Sequence, residues 1–142
     1  MVVVDASVVV DWVAPGSADV AVAARLLDAW IDQGVTPIAP ALLSLEVRNA
    51  LLLGVRQDRW DGRQADSAQT LLAALPIDVE DSAPDIARAW DLARRYDEHP
   101  IYDMVYVALA ERRSVPLVTA DDRLRRRLAD LDWVLTPEEA MA

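Results

Sequence analysis

The chain has 142 residues, 54% of them hydrophobic, a formal net charge of −10 and no cysteine. It is expected to fold as one domain, 1–142, whose core needs no staples. The missing cysteines exclude a disulfide framework, a thiolate zinc site and a Cys nucleophile, and a reducing cytoplasm is the expected compartment. All 14 basic residues are arginine. That removes phosphate-loop ATPases, Schiff-base chemistry and receiver- or dehalogenase-type phosphoryl transfer, all of which use a lysine. One histidine, His99, and no Gly-x-Ser-x-Gly elbow leave little for a serine hydrolase. The acidic balance argues against indiscriminate binding to nucleic acid, so any such contact must be local.

In chain order, Val2-Val3-Val4 is a continuous apolar run, as expected of a short strand buried on both faces of a parallel sheet, with Asp5 at its carboxyl end. MVVVDASVVVDWV carries Asp5 and Asp11 and no basic leader, so it does not read as a signal peptide. Ser7 is expected to cap a short helix through Trp12, which Pro15-Gly16-Ser17 breaks, and Ala18–Asp32 has helical apolar spacing ended by Gly34. A second strand follows over 35–39, then a strongly apolar helix over 41–55, interrupted by Glu46, Arg48 and Asn49 in a way that disfavours a membrane span. A third long helix is expected over 60–75 and a third strand over 76–79. Ser82 or Asp85 starts a helix to Tyr96, and Pro100 opens another to about Arg113. Strand four is expected over 115–119, a helix over 121–130, and a last strand over 133–135. Strands alternating with helices imply a three-layer α/β/α sandwich around a mainly parallel sheet of about five strands.

Four acids fall where strand ends and helix starts gather them: Asp5, Glu46, Asp103 and Asp121. Taken singly, each is as readily a surface or capping acid. Together they have the make-up of a divalent-metal site, because a carboxylate in an apolar segment needs a cation or hydrogen bonds. Glu46 lies on an apolar helix with Asn49 on its face, and Asp103 sits in a first turn, where the helix dipole favours a carboxylate. Oxygen donors point to Mg²⁺ or Mn²⁺ rather than zinc or copper. Arg123, Arg125, Arg126 and Arg127 follow Asp121, with Arg112 and Arg113 ending the helix that Asp103 begins. They are either phosphate contacts or a solvated face with Asp122 paired to Arg126. The five tryptophans read as core and interface residues rather than base-stacking platforms.

VVVDASVV, LLSLEVRNALL and YDMVYVALAERRSVPLVTADDRL, in that order and over essentially the whole chain, resemble the PIN-domain family and most closely the VapC toxins of bacterial toxin–antitoxin pairs. The resemblance implies that Asp5, Glu46, Asp103 and Asp121 form a catalytic metal site with Thr119 or Ser7 in support. Asp122 stands as the alternative to Asp121, which is placed first because Thr-x-Asp is the matching register. Pro100 departs from the Ser or Thr that family members often carry three residues before the third acid. Asp11 and His99 match no family metal position and are expected at the surface or in local hydrogen bonds. The activity implied is an endoribonuclease using one or two Mg²⁺ or Mn²⁺ ions, dimeric, acting on RNA and held inactive by a cognate VapB-type antitoxin. A PIN nuclease of RNA maturation and a non-cleaving PIN-like binding module are the competing readings.

Overall fold

A computed structural model describes residues 1–16 and 20–142. In chain order the elements are β1 (Val2–Val4), α1 (Ala6–Val13), α2 (Val20–Gln33), β2 (Pro37–Ala39), α3 (Leu42–Arg56), α4 (Gly62–Ala74), β3 (Asp78–Val79), α5 (Ala83–Arg95), α6 (Ile101–Arg113), β4 (Leu117–Val118), α7 (Asp122–Arg127), β5 (Val134–Leu135) and α8 (Pro137–Met141). The strands form one sheet in the order β3-β2-β1-β4-β5. Every pairing is parallel, with Val3 opposite Ile38 on one side and Leu117 on the other.

The continuous apolar run that predicts β1 is explained by its central place: Val3 and Val4 are fully buried between β2 and β4. The chain first lays strands to one side of β1, then returns through α5 and α6 to lay β4 and β5 on the other. The strand order therefore reverses between β1 and β4, the position at which open parallel sheets leave a crevice for ligands. The helices form two groups about the sheet. α1 packs on α2, α3 and α4, while α5 packs on α6, which lies against β1 and β4.

Local chemistry sets most boundaries. Gly34 ends α2 at φ +67°, a left-handed conformation that a side chain would strain, and it lets Val35 N–H close back on the Trp30 carbonyl at 2.8 Å. Trp60 precedes α4 rather than opening it. Its ring is buried against Gly54 of α3 and its indole N–H donates to the Leu51 carbonyl at 2.9 Å, while Asp61 and Gln64 cap α4 reciprocally.

Several expectations are corrected. Ser7 is not a cap but lies inside α1, whose N-cap is Asp5. The Pro15-Gly16 turn stands, but Ser17 and the expected α2 start at Ala18 lie outside the described residues. The helix after Asp121 is short, ending at Arg127, and α8 was not anticipated, although Thr136 and Glu139 form a capping box with Pro137 at its start. The strongly apolar helix α3 leaves Leu45, Leu52 and Leu53 solvent-exposed. Among the described residues no helix is long and apolar enough to cross a membrane.

Candidate active site

The crevice between β1 and β4 is built from residues that follow each strand. Asp5 comes directly after β1, is only 5% exposed, and has no ion-pair partner among the described residues. Its Oδ2 instead accepts hydrogen bonds from Ser7 Oγ at 2.6 Å and Thr119 Oγ1 at 2.9 Å. Those hydroxyls are fixed in turn by backbone N–H groups of the loop after β4, Ala120 donating to Ser7 Oγ at 2.9 Å and Asp121 to Thr119 Oγ1 at 3.1 Å. Ser7 and Thr119 thus support Asp5, as expected, and they tie the two sides of the crevice together.

Two further acids lean on the same point. Glu46, from α3, accepts at Oε1 a 2.6 Å hydrogen bond from Tyr106 Oη of α6. Asp103, in the first turn of α6, meets His99 Nε2 at 2.6 Å through Oδ2. Burial pushes the Asp5 carboxyl above its ordinary pKa, the Ser7 and Thr119 hydroxyls pull it back, and the charge on Asp103 pushes it up again. Glu46 is raised first by burial, against the Tyr106 hydrogen bond, and then by the charges on Asp5 and Asp103. The Tyr106 phenol is raised in its turn by burial and by its bond to Glu46. Asp5, Glu46 and Asp103 are therefore three mutually felt negative charges in a poorly solvated place. Glu46 Oε2 and Asp103 Oδ1 have no hydrogen-bond donor among the described residues.

The fourth acid is placed differently. Asp121 is the N-cap of α7, its Oδ1 accepting from Arg123 N–H at 2.9 Å and Leu124 N–H at 3.2 Å. Asp122 is exposed and lines a separate pocket with Asp11, Thr119, Thr136 and Glu138. Neither is among the charges that raise Asp5 or Glu46. Asp121 lies on the loop that carries Thr119, whereas Asp122 is the first residue of α7. Convergence of all four acids is thus looser than expected: among the described residues no three acids or histidines stand close enough to hold a metal ion in these side-chain positions. Mutual repulsion and the separate anchors on Tyr106, His99 and the α7 backbone account for the spread.

Some residues fall elsewhere than expected. Asn49 is exposed and takes no part in a polar cavity with Glu46. Arg112 forms a two-bond ion pair with buried Asp85 at 2.7 and 3.0 Å, and Arg113 pairs with Glu80 at 2.7 Å, so both arginines serve the fold. No Asp122–Arg126 ion pair forms among the described residues. His99 makes the kind of local hydrogen bond expected of it, just before α6, whereas Tyr106 is the participant that sequence reasoning passed over. Its spacing, three residues after Asp103 on the same helix, was the available signal, because such neighbours share a helix face.

The donor chemistry suits a hard divalent cation: oxygens only, with negative charge gathered around buried Asp5 and no arginine paired with Asp5, Glu46 or Asp103 among the described residues. The PIN domain pattern matches residues 2–129. The chain is 38% identical over 126 residues to Ribonuclease VapC1 of Mycobacterium tuberculosis, covering 86% of each protein. It is 34% identical over 124 residues to Ribonuclease VapC12 of the same organism, covering 87% of this chain and 89% of that one. Among solved structures, the fold resembles a toxin–antitoxin complex from Klebsiella pneumoniae, with a TM-score of 0.67 at 20% identity over 96% of this chain and 98% of that one. It also resembles the sarcin-ricin loop cleaving toxin VapC20 of M. tuberculosis, with a TM-score of 0.66 at 21% identity over 89% and 94%. With a crevice at the β1/β4 reversal, three coupled acids around it and relatives of this identity along most of its length, the chain belongs to the PIN-domain family and stands among its VapC-type nucleases.

Proposed function

We propose that this protein is a divalent-metal-dependent endoribonuclease, the toxin of a toxin–antitoxin pair, and that Asp5, Glu46 and Asp103 hold Mg²⁺ or Mn²⁺ with Asp121 completing the site. The observation that carries this reading is the set of three acids at the sheet's reversal point, each oriented by a hydroxyl or an imidazole and none paired with an arginine among the described residues. Bound there, such an ion supplies Lewis acidity that makes water nucleophilic at neutral pH and offsets charge building on the phosphodiester. The chain's own residues do the positioning. Ser7 and Thr119 hold the Asp5 carboxylate between β1 and β4, Tyr106 fixes Glu46, and His99 fixes Asp103. Asp121, on the loop after β4, would complete the set with the oxygen that its helix cap leaves free.

The test is cleavage of total RNA by purified protein with and without Mg²⁺ or Mn²⁺, with mapping of the cut ends. Metal-dependent cuts leaving 5′-phosphate and 3′-hydroxyl ends, lost in Asp5→Asn, Glu46→Gln, Asp103→Asn and Asp121→Asn, are expected. Undiminished cutting by the Asp5 and Asp103 variants would refute the site, and Mn²⁺ affinity in Asp121→Asn beside Asp122→Asn decides between those two acids. The exposed leucines of α3, Leu45, Leu52 and Leu53, favour a homodimer, which light scattering at micromolar concentration checks. The antitoxin of the pair is sought as the product of a short neighbouring reading frame, and co-expression of that product should abolish RNA cleavage.

A further inference from the structure

The six residues of α7 contain four arginines in a chain of net charge −10, and the fold treats them unequally. Arg125 turns to Glu139 of α8 at 3.4 Å, and Arg127 pairs with Asp97 at 3.0 Å. Arg123 and Arg126 form no ion pair among the described residues, and both line an open groove between α7 and the carboxyl end of α5, together with Arg95, Tyr96, Asp97 and Arg127. Arg95 is likewise without an ion pair. Tyr96 forms part of the floor, its phenol donating to the Asp130 carboxylate at 2.8 Å. The groove thus gathers three guanidinium groups that form no ion pair among the described residues, beside Asp97 held by Arg127, on a molecule of net charge −10, an arrangement that favours an anion.

Both walls of this groove run into the candidate active site. Arg123 lies two residues beyond Asp121, and the loop leaving α5 at Asp97 reaches His99, which holds Asp103. At ~1.5 Å of rise per residue, Arg123 and Arg126 stand about 4.5 Å apart along α7, close to the ~3.4 Å rise between successive phosphates of a stacked strand. We infer that Arg95, Arg123 and Arg126 form a phosphate track that holds the RNA backbone beside the scissile bond. This rests on the ribonuclease reading above. Guanidinium forks match phosphate oxygens in pairs and carry no sequence preference, so the track positions the strand and leaves the choice of bases to other contacts.

The test is anisotropy of a labelled single-stranded RNA 12-mer titrated with the protein in EDTA, where it binds without being cut. At ~0.7 counterions released per phosphate contact, Arg123→Gln/Arg126→Gln should weaken binding about 25-fold at 0.1 M salt and make the log–log salt slope shallower by about 1.4. Arg123→Lys/Arg126→Lys should keep most of the slope, and in cleavage assays the loss should appear in KM. Arg56→Gln/Arg63→Gln, which removes the same charge from the α3–α4 side, should change binding less than twofold. The inference is overturned if the groove variant binds within twofold of wild type, or if the α3–α4 variant loses as much. It is also overturned if a polyglutamate peptide binds through the same arginines more tightly than the RNA, which would assign the groove to an acidic protein partner. Wild-type protein that cleaves RNA while the groove variant binds normally sinks the track alone, whereas wild-type protein that neither binds nor cleaves RNA sinks the ribonuclease reading with it.

Discussion

Asp5→Asn removes one buried negative charge while leaving an oxygen able to accept the Ser7 and Thr119 hydrogen bonds at 2.6 and 2.9 Å. Because Asp5 is 5% exposed and faces the charges of Glu46 and Asp103 without a cationic partner, metal-free protein should gain about 1–3 kcal/mol from the change. At ~2.1 cal/mol/K per residue, a chain of this length moves its Tm by about 3 °C per kcal/mol, so a rise of roughly 3–10 °C is expected by calorimetry in EDTA at pH 7. The pH dependence has a definite sign. Burial and the charge of Asp103 raise the folded-state pKa of Asp5 above its ordinary 3.8, so its proton favours the folded state. That contribution is complete below 3.8 and is lost as pH rises through the folded value. The stability gap between variant and wild type should therefore narrow as pH falls from neutral toward 4, and more so because Glu46, which the Asp5 charge also raises, loses that push in the variant. Added Mn²⁺ should reverse the order, stabilising wild type by about 2.7 kcal/mol at 100 times Kd and the variant by much less. An Asp5→Asn protein with native far-UV dichroism but equal or lower metal-free stability would refute the repulsive cluster.

Tyr106→Phe deletes the donor that holds Glu46, so Mn²⁺ affinity measured by calorimetric titration should fall about 10-fold or more; unchanged affinity would make Tyr106 a core residue only. Gly54→Ala would put a Cβ 2.0 Å from the Trp60 ring. The ring must retreat and loosen its bond to Leu51, and after the gain in helix propensity a net loss of about 3 kcal/mol is expected in urea unfolding. Asp85→Ala strands Arg112 and opens the α5–α6 contact, costing about 2 kcal/mol by the same measurement, and a loss under 0.5 kcal/mol would show the pair to be ornamental.

What the sequence carried plainly was strand β1, a strand ending near Thr119 with a helix starting at Asp121, and the alternation that makes a parallel sheet, because each depends on neighbours a few residues away. The capping box of α8 was equally local, Thr136-Pro137-Glu138-Glu139, and was missed beside the stronger signal of β5. The site was legible as a set of acids but not as an arrangement. Tyr106 is fully buried and sits in a run of apolar residues, so nothing in its surroundings distinguishes a core tyrosine from one whose hydroxyl holds Glu46, 60 residues earlier. The arginines show the same limit: which of them are committed depends on Glu80, Asp85, Asp97 and Glu139, partners that only the fold brings near. Helix α3 was legible as strongly apolar, but which of its leucines stay exposed, Leu45 and Leu52 among them, depends on what the fold packs around it.

The central position of β1 has a consequence for synthesis. Asp5 is made well before the hydroxyl that completes its hydrogen bonding, which comes 114 residues later, and β4 pairs directly with β1. Until β4 follows α6 off the ribosome, a growing chain has an open sheet edge beside β1, no Thr119 and no Asp121. Such distant closure is slow compared with forming a helix. With the site still open, helices α1 to α4 emerge first, so their surfaces are available to a binding partner before the proposed site is assembled.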